Sequence, residues 1–432
     1  MIQFNIYRFF FAVVAVILVF SARVSAQFNN DSIMFLNFVK KEFNTGIVAG
    51  YESGREEFRS ESELFQEELE NGSVSIFIER KNLFFLPFMQ QLTEFRLLIG
   101  PVAGKGNIFE ESATGNIVAD RELAGIQGLL QGSSTNRFYF DTKNYTLVHL
   151  DAWGKYSYNS RTDQGTVTDT FGVTTPYERE SEAGKLRYGF NARAGWGIGR
   201  IQPVNHYMTS GWLLEKYYPG RNFSEAEFIL VAKEIARIKH QRNIRTGNLA
   251  EIEKEQLEQF LNSRLFLETP EGMVNDYMVT EYRPRYHGSR IEIGPFFSYF
   301  NREPDFVYGG FLQFENAKYC NLKWNRNLAA KLSYNSYKHH DWMMLETALG
   351  WNWYPSLRTE WGFGVKYIPG LTVEDFRDYG PVRHNFIPYI EYFSQISRRY
   401  RIESTFAWRV APTEQFMTAG PEFSVSVYRS RY

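Results

Sequence analysis

Strict alternation of apolar and polar residues in the C-terminal third of the chain constrains the fold more than any other feature. In the three segments 345–353, 359–367 and 399–410, every second residue is mostly apolar and the intervening residues are small, polar or charged. Successive side chains of a β-strand point to opposite faces of the sheet. Each segment therefore predicts a strand with one apolar and one polar face.

The apolar faces end in aromatic residues, such as Trp351 and Trp353 in the first segment and Tyr367 in the second. A soluble β-sandwich also alternates, but it gains nothing from aromatics near strand ends, where a bilayer places Trp and Tyr. Aromatics make up 17% of the residues although mean hydropathy is −0.38, as expected for alternation rather than long apolar runs. We therefore predict an all-β transmembrane barrel, antiparallel and up-and-down, of about 12 to 14 strands.

Connection lengths agree with a barrel, because such barrels alternate short periplasmic turns with longer external loops. Short turns are expected at Pro355-Ser356, Ser397-Arg398 and Asn325-Arg326-Asn327, and the longer segment 369–382 lies between two of them. Counted back from the C-terminus, eight strands are expected near residues 416–430, 399–410, 383–395, 357–368, 341–353, 328–337, 306–324 and 288–300.

The N-terminus has the three parts of a secretory signal peptide: Arg8, the apolar run 9–20, and the small-residue site Val24-Ser25-Ala26. The run is too short to cross a bilayer as a helix, and a short membrane anchor is the alternative. The single cysteine, Cys320, leaves no lipid-attachment site after the apolar run and no internal disulfide. Residues 1–26 are therefore predicted to be a cleaved signal peptide that directs the chain to the cell outer membrane.

Residues 205–275 interrupt the strand pattern and predict a small helical insert. Ser224 and Glu227 have the spacing of a capping box, and an apolar stripe from Phe228 to Ile238 follows. The stripe is interpreted as packing within the insert, the alternative being a surface that plugs the barrel or receives a partner. Since an even number of strands follows, the insert is expected in the periplasm.

Residues 27–204 are expected to supply the N-terminal strands of the barrel, and 276–432 the C-terminal eight strands. The stretch AGWGIGRIQPV, residues 194–204, ends one of the N-terminal strands, with Gly195 and Gly197 as small inward-facing residues. The polar run 160–183 predicts an external loop. Residues 104–134 show no clear periodic pattern of apolar and polar residues.

Several function classes receive no support from the sequence. The 48 basic and 49 acidic residues nearly cancel, so no basic excess exists for a nucleic acid. The glycine-rich stretches lack the third glycine of a dinucleotide fingerprint and the Ser or Thr of a P-loop. His339 and His340 are adjacent in a predicted turn, and no hydrolase motif is present. We expect no cofactor, no metal and no enzyme activity, although distant strands could still assemble a hydrolase site.

The chain resembles bacterial outer-membrane β-barrel proteins of porin-like type in its signal peptide, its aromatic-capped strands and its final strand EFSVSVYRSRY. Apolar residues at alternate positions from the terminal aromatic are typical of such barrels; Tyr432 and Tyr428 fit, whereas Ser430, Ser426 and Ser424 do not. The resemblance implies a channel for small polar solutes in contact with outer-membrane lipid.

Charged residues on the polar faces are the candidate lumen lining, because rings of charge in a wet lumen select solutes by sign. The alternative is a closed barrel filled with compensating ion pairs, which would act as a scaffold for a periplasmic or surface partner. The candidates are Arg187, Arg193, Arg358, Glu360, Lys366, Arg399, Arg401, Glu403 and Arg409.

We predict that the mature protein begins at Gln27, because the small residues before it form a signal-peptidase site. N-terminal mass mapping of protein from the membrane fraction checks this prediction directly. Peptides that retain residues 9–20 would show a membrane anchor instead.

Overall fold

The computed structural model describes residues 36–431, apart from residues 60–63, 114, 242–248, 279–282, 303–304, 339–340, 376–377, 380–381, 383 and 411–418. The predicted signal peptide and the His339-His340 pair lie outside the described residues. In the described part, strands predominate and helices are confined to one connection.

Sixteen strands are described. They are β1 Phe38–Arg59, β2 Leu64–Phe85, β3 Met89–Ser112, β4 Gly115–Tyr139, β5 Asn144–Asp169, β6 Thr174–Pro203, β7 Tyr286–Phe300, β8 Phe306–Asn321, β9 Trp324–Ser336, β10 Asp341–Ser356, β11 Thr359–Tyr367, β12 Gly370–Asp375, β13 Asp378–Tyr379, β14 Phe386–Gln395, β15 Tyr400–Arg409 and β16 Gly420–Arg431. Between β6 and β7 lie four helices, α1 Asn205–Tyr217, α2 Glu225–His240, α3 Leu249–Leu265 and α4 Met273–Met278.

Fourteen of these strands close into a ring. β1 pairs antiparallel with both β2 and β16, and β11 pairs antiparallel with both β10 and β14. The short strands β12 and β13 are not part of the ring: β12 pairs with residues 341–344 at the start of β10, and β13 pairs with β12. Every other neighbour along the ring is consecutive in sequence. The predicted up-and-down antiparallel barrel of 12 to 14 strands is therefore confirmed, at the upper number.

The two faces of the barrel wall differ in chemistry. On the outer face, Ile47, Ile76 and Ile99 lie side by side in register and are each more than half exposed. On the inner face, Arg137 of β4 donates to Glu292 of β7 at 2.6 Å, although β5 and β6 lie between those strands. A side chain can reach past two strands only on the concave side. The apolar outer band and the polar interior are typical of a barrel in lipid.

Strand length divides the barrel into two halves. β5 has 26 residues and β6 has 30, whereas β11 has 9. About 9 to 11 tilted residues cross a bilayer, so the long strands continue well beyond it. The loop predicted over 160–183 is therefore wrong: those residues form the ends of β5 and β6, joined by a turn in which Gly172 has φ of 81°.

Residues 104–134, which lack a clear period, also lie mostly in strands, at the end of β3 and in β4. Residues 160–183 are mostly polar on each face, a composition that resembles a loop, whereas residues 104–134 mix glycines with charged and apolar residues. The ladder of backbone hydrogen bonds to neighbouring strands holds them as strands, because it does not depend on which side chains are present.

Two finer expectations also change. The turn predicted at Asn325-Arg326-Asn327 lies instead at 322–323, and those three residues are in β9. In β16, Tyr428 points inward and donates its hydroxyl to Glu403. The outward-facing residues of β16 are those at the alternate positions, such as Val427, which is 47% exposed. The serines that did not fit a lipid-facing set are therefore on the inner face.

The helices pack around a core of their own. Ser224 caps α2, and its backbone N–H donates to the Glu227 carboxylate at 2.7 Å. Ile235 of α2 is buried in one cluster with Leu257 and Leu261 of α3. No helix in the described ranges is long and apolar enough to cross a membrane. The apolar stripes are thus used mainly within the insert.

We predict that Ile76→Arg destabilises the barrel by about 2–4 kcal/mol, because the new charge faces the lipid between Ile47 and Ile99. Val118→Arg is the matched control. Val118 is 55% exposed on the outer face, but it lies on the extended part of β4 beside Thr166. Urea unfolding in lipid vesicles measures both variants, and equal losses would contradict the assignment of the lipid band.

Candidate functional site: the barrel lumen and its covered end

One end of the barrel carries the short connections, and we call it the turn end. Its connections include residues 86–88, 140–143, 322–323 and 357–358. The β6–β7 connection with the four helices leaves from the same end. We call residues 205–278 the helical cap, and the opposite end, with the longer connections, the loop end.

The helical cap contacts the rim of the turn end at separate points around the ring. Trp212 of α1 packs against Leu357, in the β10–β11 turn, and Phe393 of β14. The ring of His206 lies 5.2 Å from that of Phe38, at the start of β1. Since β1 and β14 lie far from β6 and β7 along the ring, the cap extends across the mouth.

Arg283, just after the cap, crosses the mouth with its side chain. Its guanidinium donates to Glu391 of β14 at 2.9 Å and to Glu403 of β15 at 2.9 Å. Arg283 precedes β7, and β15 lies nearly opposite β7 in the ring. Two charge-assisted hydrogen bonds therefore connect the end of the cap with the far wall.

Arg285, two residues further on, anchors the same segment beside the β8–β9 turn. Its guanidinium stacks on the ring of Tyr354 at 3.2 Å from the ring centre and donates to the carbonyl of Leu322 at 2.9 Å. Arg285 is 1% exposed. Stacking and hydrogen bonding together hold this buried guanidinium in place.

Asp276 of α4 joins the cap to the β10–β11 turn. Its carboxylate accepts a hydrogen bond from the Tyr217 hydroxyl at 2.8 Å, from Lys216, and from Arg358 at 3.3 Å. Burial acts to raise the pKa of Asp276, but the hydrogen bonds from Lys216 and Tyr217 outweigh it and lower this pKa. The charged form of Asp276 is thus the one that fits the site.

Ion pairs line much of the inner wall. Glu42 of β1 pairs with Lys40 at 2.9 Å and with Arg401 of β15 at 2.8 Å, past the intervening β16. In the extended part of β4 and β5, Arg121 donates to Asp163 at 2.8 Å. Buried pairs of this kind leave little uncompensated charge where they occur.

The nine predicted lumen residues divide into three groups. The first group lies on the inner wall and consists of Glu360, Arg401 and Glu403. Arg401 is buried and pairs with Glu42, and Glu403 pairs with Arg283. Glu360 is also buried and accepts hydrogen bonds from Asn352 and Tyr354. Arg358 and Arg399 lie in turns, and Arg358 pairs with the cap. Arg187, Arg193, Lys366 and Arg409 are on inner-facing positions of their strands, with Arg187 and Lys366 exposed. A role of these residues in solute selection stays a prediction.

Sequence reasoning missed several interior residues, including Glu42, Arg137, Arg283 and Glu292. Alternation could have placed Glu42 on a polar face, but its partners come from strands distant in sequence. For Arg283, which lies outside any regular element, the sequence offers no signal.

Among the described residues, no group of three His, Cys, Asp or Glu side chains is arranged to hold a metal ion. The lone cysteine, Cys320, is exposed near the turn end, in β8.

Closure, alternation and the outer apolar band define the chain as a bacterial outer-membrane β-barrel. No protein-family model matches it, and no curated protein matches it. Among solved structures, the translocator domain of the autotransporter NalP from Neisseria meningitidis is similar at 8% identity, covering 98% of this chain and 97% of that one, with a TM-score of 0.33.

OprB from Pseudomonas putida is similar at 8% identity, covering 90% of this chain and 92% of that one, with a TM-score of 0.30. The outer-membrane protease OmpT from Escherichia coli has 7% identity, coverage of 91% and 95%, and a TM-score of 0.25. The function of this chain therefore rests on its own geometry.

We predict that Asp276→Asn lowers the stability of the protein by about 1 kcal/mol at neutral pH, the scale of a partly exposed ion pair. A carboxylate with a lowered pKa stabilises the fold above its unfolded pKa of about 3.9, and this contribution is lost as the pH falls through the lower folded value. Thermal unfolding between pH 7 and pH 3 should show the two proteins converge below about pH 4. Glu255→Gln, at an exposed position of α3, is the control. A constant difference at every pH would contradict this role of Asp276.

Proposed function

We propose that the protein is an outer-membrane channel for small polar solutes whose mouth at the turn end is closed by the helical cap and opens when the cap moves. The observation that carries this proposal is the combination of a covered mouth with an inner wall that stays accessible to water towards the loop end. There, the inward-facing Lys155, Arg187 and Lys366 are exposed.

A barrel that served only as a scaffold would be expected to fill its interior. Paired charges do fill part of this one, as at Glu42 and Arg401. Exposed cations on the inner face argue for a solvated space beside them, because Lys and Arg remain in water unless they are paired. The wall of a wet lumen is where charge selects solutes.

The contacts of Arg283 support a cap that can be released. Water reaches this ion-pair group, because the side chains are 31% exposed at Arg283, 36% at Glu391 and 27% at Glu403. Hydrated pairs contribute roughly 0–1 kcal/mol each, far less than a buried apolar interface. The contacts of Arg285 with Tyr354 and Leu322 are more deeply buried and would act as the hinge side. The packing of Trp212 on Phe393 would separate together with the Arg283 ion pairs.

The turn end is proposed to face the periplasm, since short turns are on that side in barrels of this class. The helical cap would then be a periplasmic element, and its exposed helix faces could receive a periplasmic protein that moves it. The alternative function is a permanently closed barrel that acts as a scaffold, and the contacts of the cap at several points around the mouth favour it.

Conductance of the purified protein in planar bilayers tests the proposal. We predict that the wild type conducts rarely, and that Arg283→Ala conducts in longer openings because the ion pairs with Glu391 and Glu403 of the far wall are lost. Arg264→Ala, at an exposed position of α3, is the matched control and should behave like the wild type.

Deletion of residues 222–266, which removes all of α2 and α3, should give a constantly open pore. If neither Arg283→Ala nor the deletion conducts, while both retain heat-modifiable migration on gels, the channel proposal fails and the scaffold function stands.

A further inference from the structure

Three exposed cations lie close together on the inner face of β5 and β6. Lys155 and Arg187 are directly opposite each other in register, and Lys185 follows on β6. All three side chains are exposed. We call Lys155, Lys185, Arg187 and the neighbouring Trp153 the entrance patch, because it lies just beyond Gly189, where pairing between β6 and β7 stops.

Among the described residues, no carboxylate lies at an inner position next to the three cations. The inner positions around these cations on β4, β5 and β6 are Gln127, Leu129, Gln131, Ser157, Asn159, Ala183 and Gly189. Asp151 lies one inward position beyond Trp153 and accepts a hydrogen bond from Gln131 at 3.3 Å. Within the described ranges, none of the three cations forms an ion pair. Elsewhere in the interior, Arg121, Arg137 and Arg401 each have a carboxylate partner.

The pair of Lys155 and Arg187 works against the stability of the sheet, since like charges directly opposite each other on antiparallel strands repel. The structure offers nothing nearby that offsets this repulsion among the described residues. A cost of this kind in the folded state points to a role in binding, where the charges meet a partner of opposite sign.

An aromatic surface adjoins the cations. Trp153 is the inward-facing residue just before Lys155 on β5. The centre of its ring lies 6.4 Å from the centre of the Phe300 ring. Gly189 lies opposite Trp153, and a Cβ there would come within 3.0 Å of the Trp153 ring and 2.9 Å of the Phe300 ring. The glycine therefore makes room for a large apolar surface beside the positive charges.

We propose that the entrance patch binds organic anions, with a carboxylate or phosphate group on Lys155, Lys185 and Arg187 and a ring or other apolar part against Trp153. This inference rests on the proposed channel function, because it names the solute class that the lumen would admit. Exposed cations in a mouth with low-dielectric walls concentrate anions near the opening.

Arg193 continues the positive face towards the middle of the barrel. It lies on the inner face of β6, opposite His149 of β5, at a distance along the strand of about 20 Å from Arg187. Its guanidinium donates to the Asn191 side chain at 3.2 Å rather than to a carboxylate. An anion released from the entrance patch would thus meet a second positive side chain deeper in the lumen.

Equilibrium binding of phenyl phosphate to the full-length protein in detergent, measured by calorimetry, tests the patch. Loss of two charge-assisted contacts in the variant Lys155→Gln/Arg187→Gln should weaken binding by a factor of about ten or more. Lys105→Gln is the control, since Lys105 is exposed on the outer face of β3. Affinity should fall as salt is raised, because the contact is largely electrostatic.

Three further results complete the test. The double variant should unfold at the same temperature as the wild type or higher, because it removes a repulsion. Inorganic phosphate should bind more weakly than phenyl phosphate in the wild type, and Trp153→Leu should remove most of that difference. Unchanged affinity in the double variant, or no binding of either anion to the wild type, would overturn the inference.

The binding measurement does not depend on conduction. If phenyl phosphate binds as predicted but no variant conducts, the channel proposal fails and the patch remains as a surface anion site. If Arg283→Ala conducts and the patch does not bind, the channel remains without this solute class.

Discussion

Backbone hydrogen bonding in lipid is the constraint on which the rest of this structure depends. Every N–H and C=O within the hydrocarbon layer needs a partner inside the protein, so a sheet can cross a membrane only if it closes. Here closure comes from the pairing of β1 with β16 and of β10 with β11. That closure separates an outer face, where Ile76 meets lipid, from an inner face where Glu42 and Arg401 pair.

Closure also explains how the interior tolerates so many charges. Strands far apart in sequence become neighbours across a concave wall, as for Arg137 and Glu292, and their side chains neutralise each other. Beyond the end of β7, β6 continues without a described partner strand on that side, although β4 and β5 still share ion pairs such as Arg121 with Asp163. The uncompensated pair of Lys155 and Arg187 lies at this point, where one wall of the barrel is taller than the other.

Ring closure also limits where the helical cap can be inserted. An insertion can leave a closed ladder only at a strand end, and the β6–β7 connection carries it at the turn end. The cap has its own apolar core around Ile235 and Leu257, so it does not need the barrel to bury its stripes. Its contacts with the far wall combine the buried packing of Trp212 on Phe393 with the partly exposed ion pairs of Arg283.

The sequence by itself determined the barrel class, the C-terminal strands and the presence of the helices, because alternation, aromatic strand ends and the Ser224 cap are local signals. It misread residues 160–183 as a loop, since strands beyond the membrane have polar residues on both faces. It placed Arg401 and Glu403 on a polar face but gave no partners for them. Only the tertiary structure decided that Arg401 pairs with Glu42, that Arg283 crosses the mouth, and that Arg187 stays unpaired among the described residues, because these outcomes depend on strand register and ring closure over hundreds of residues.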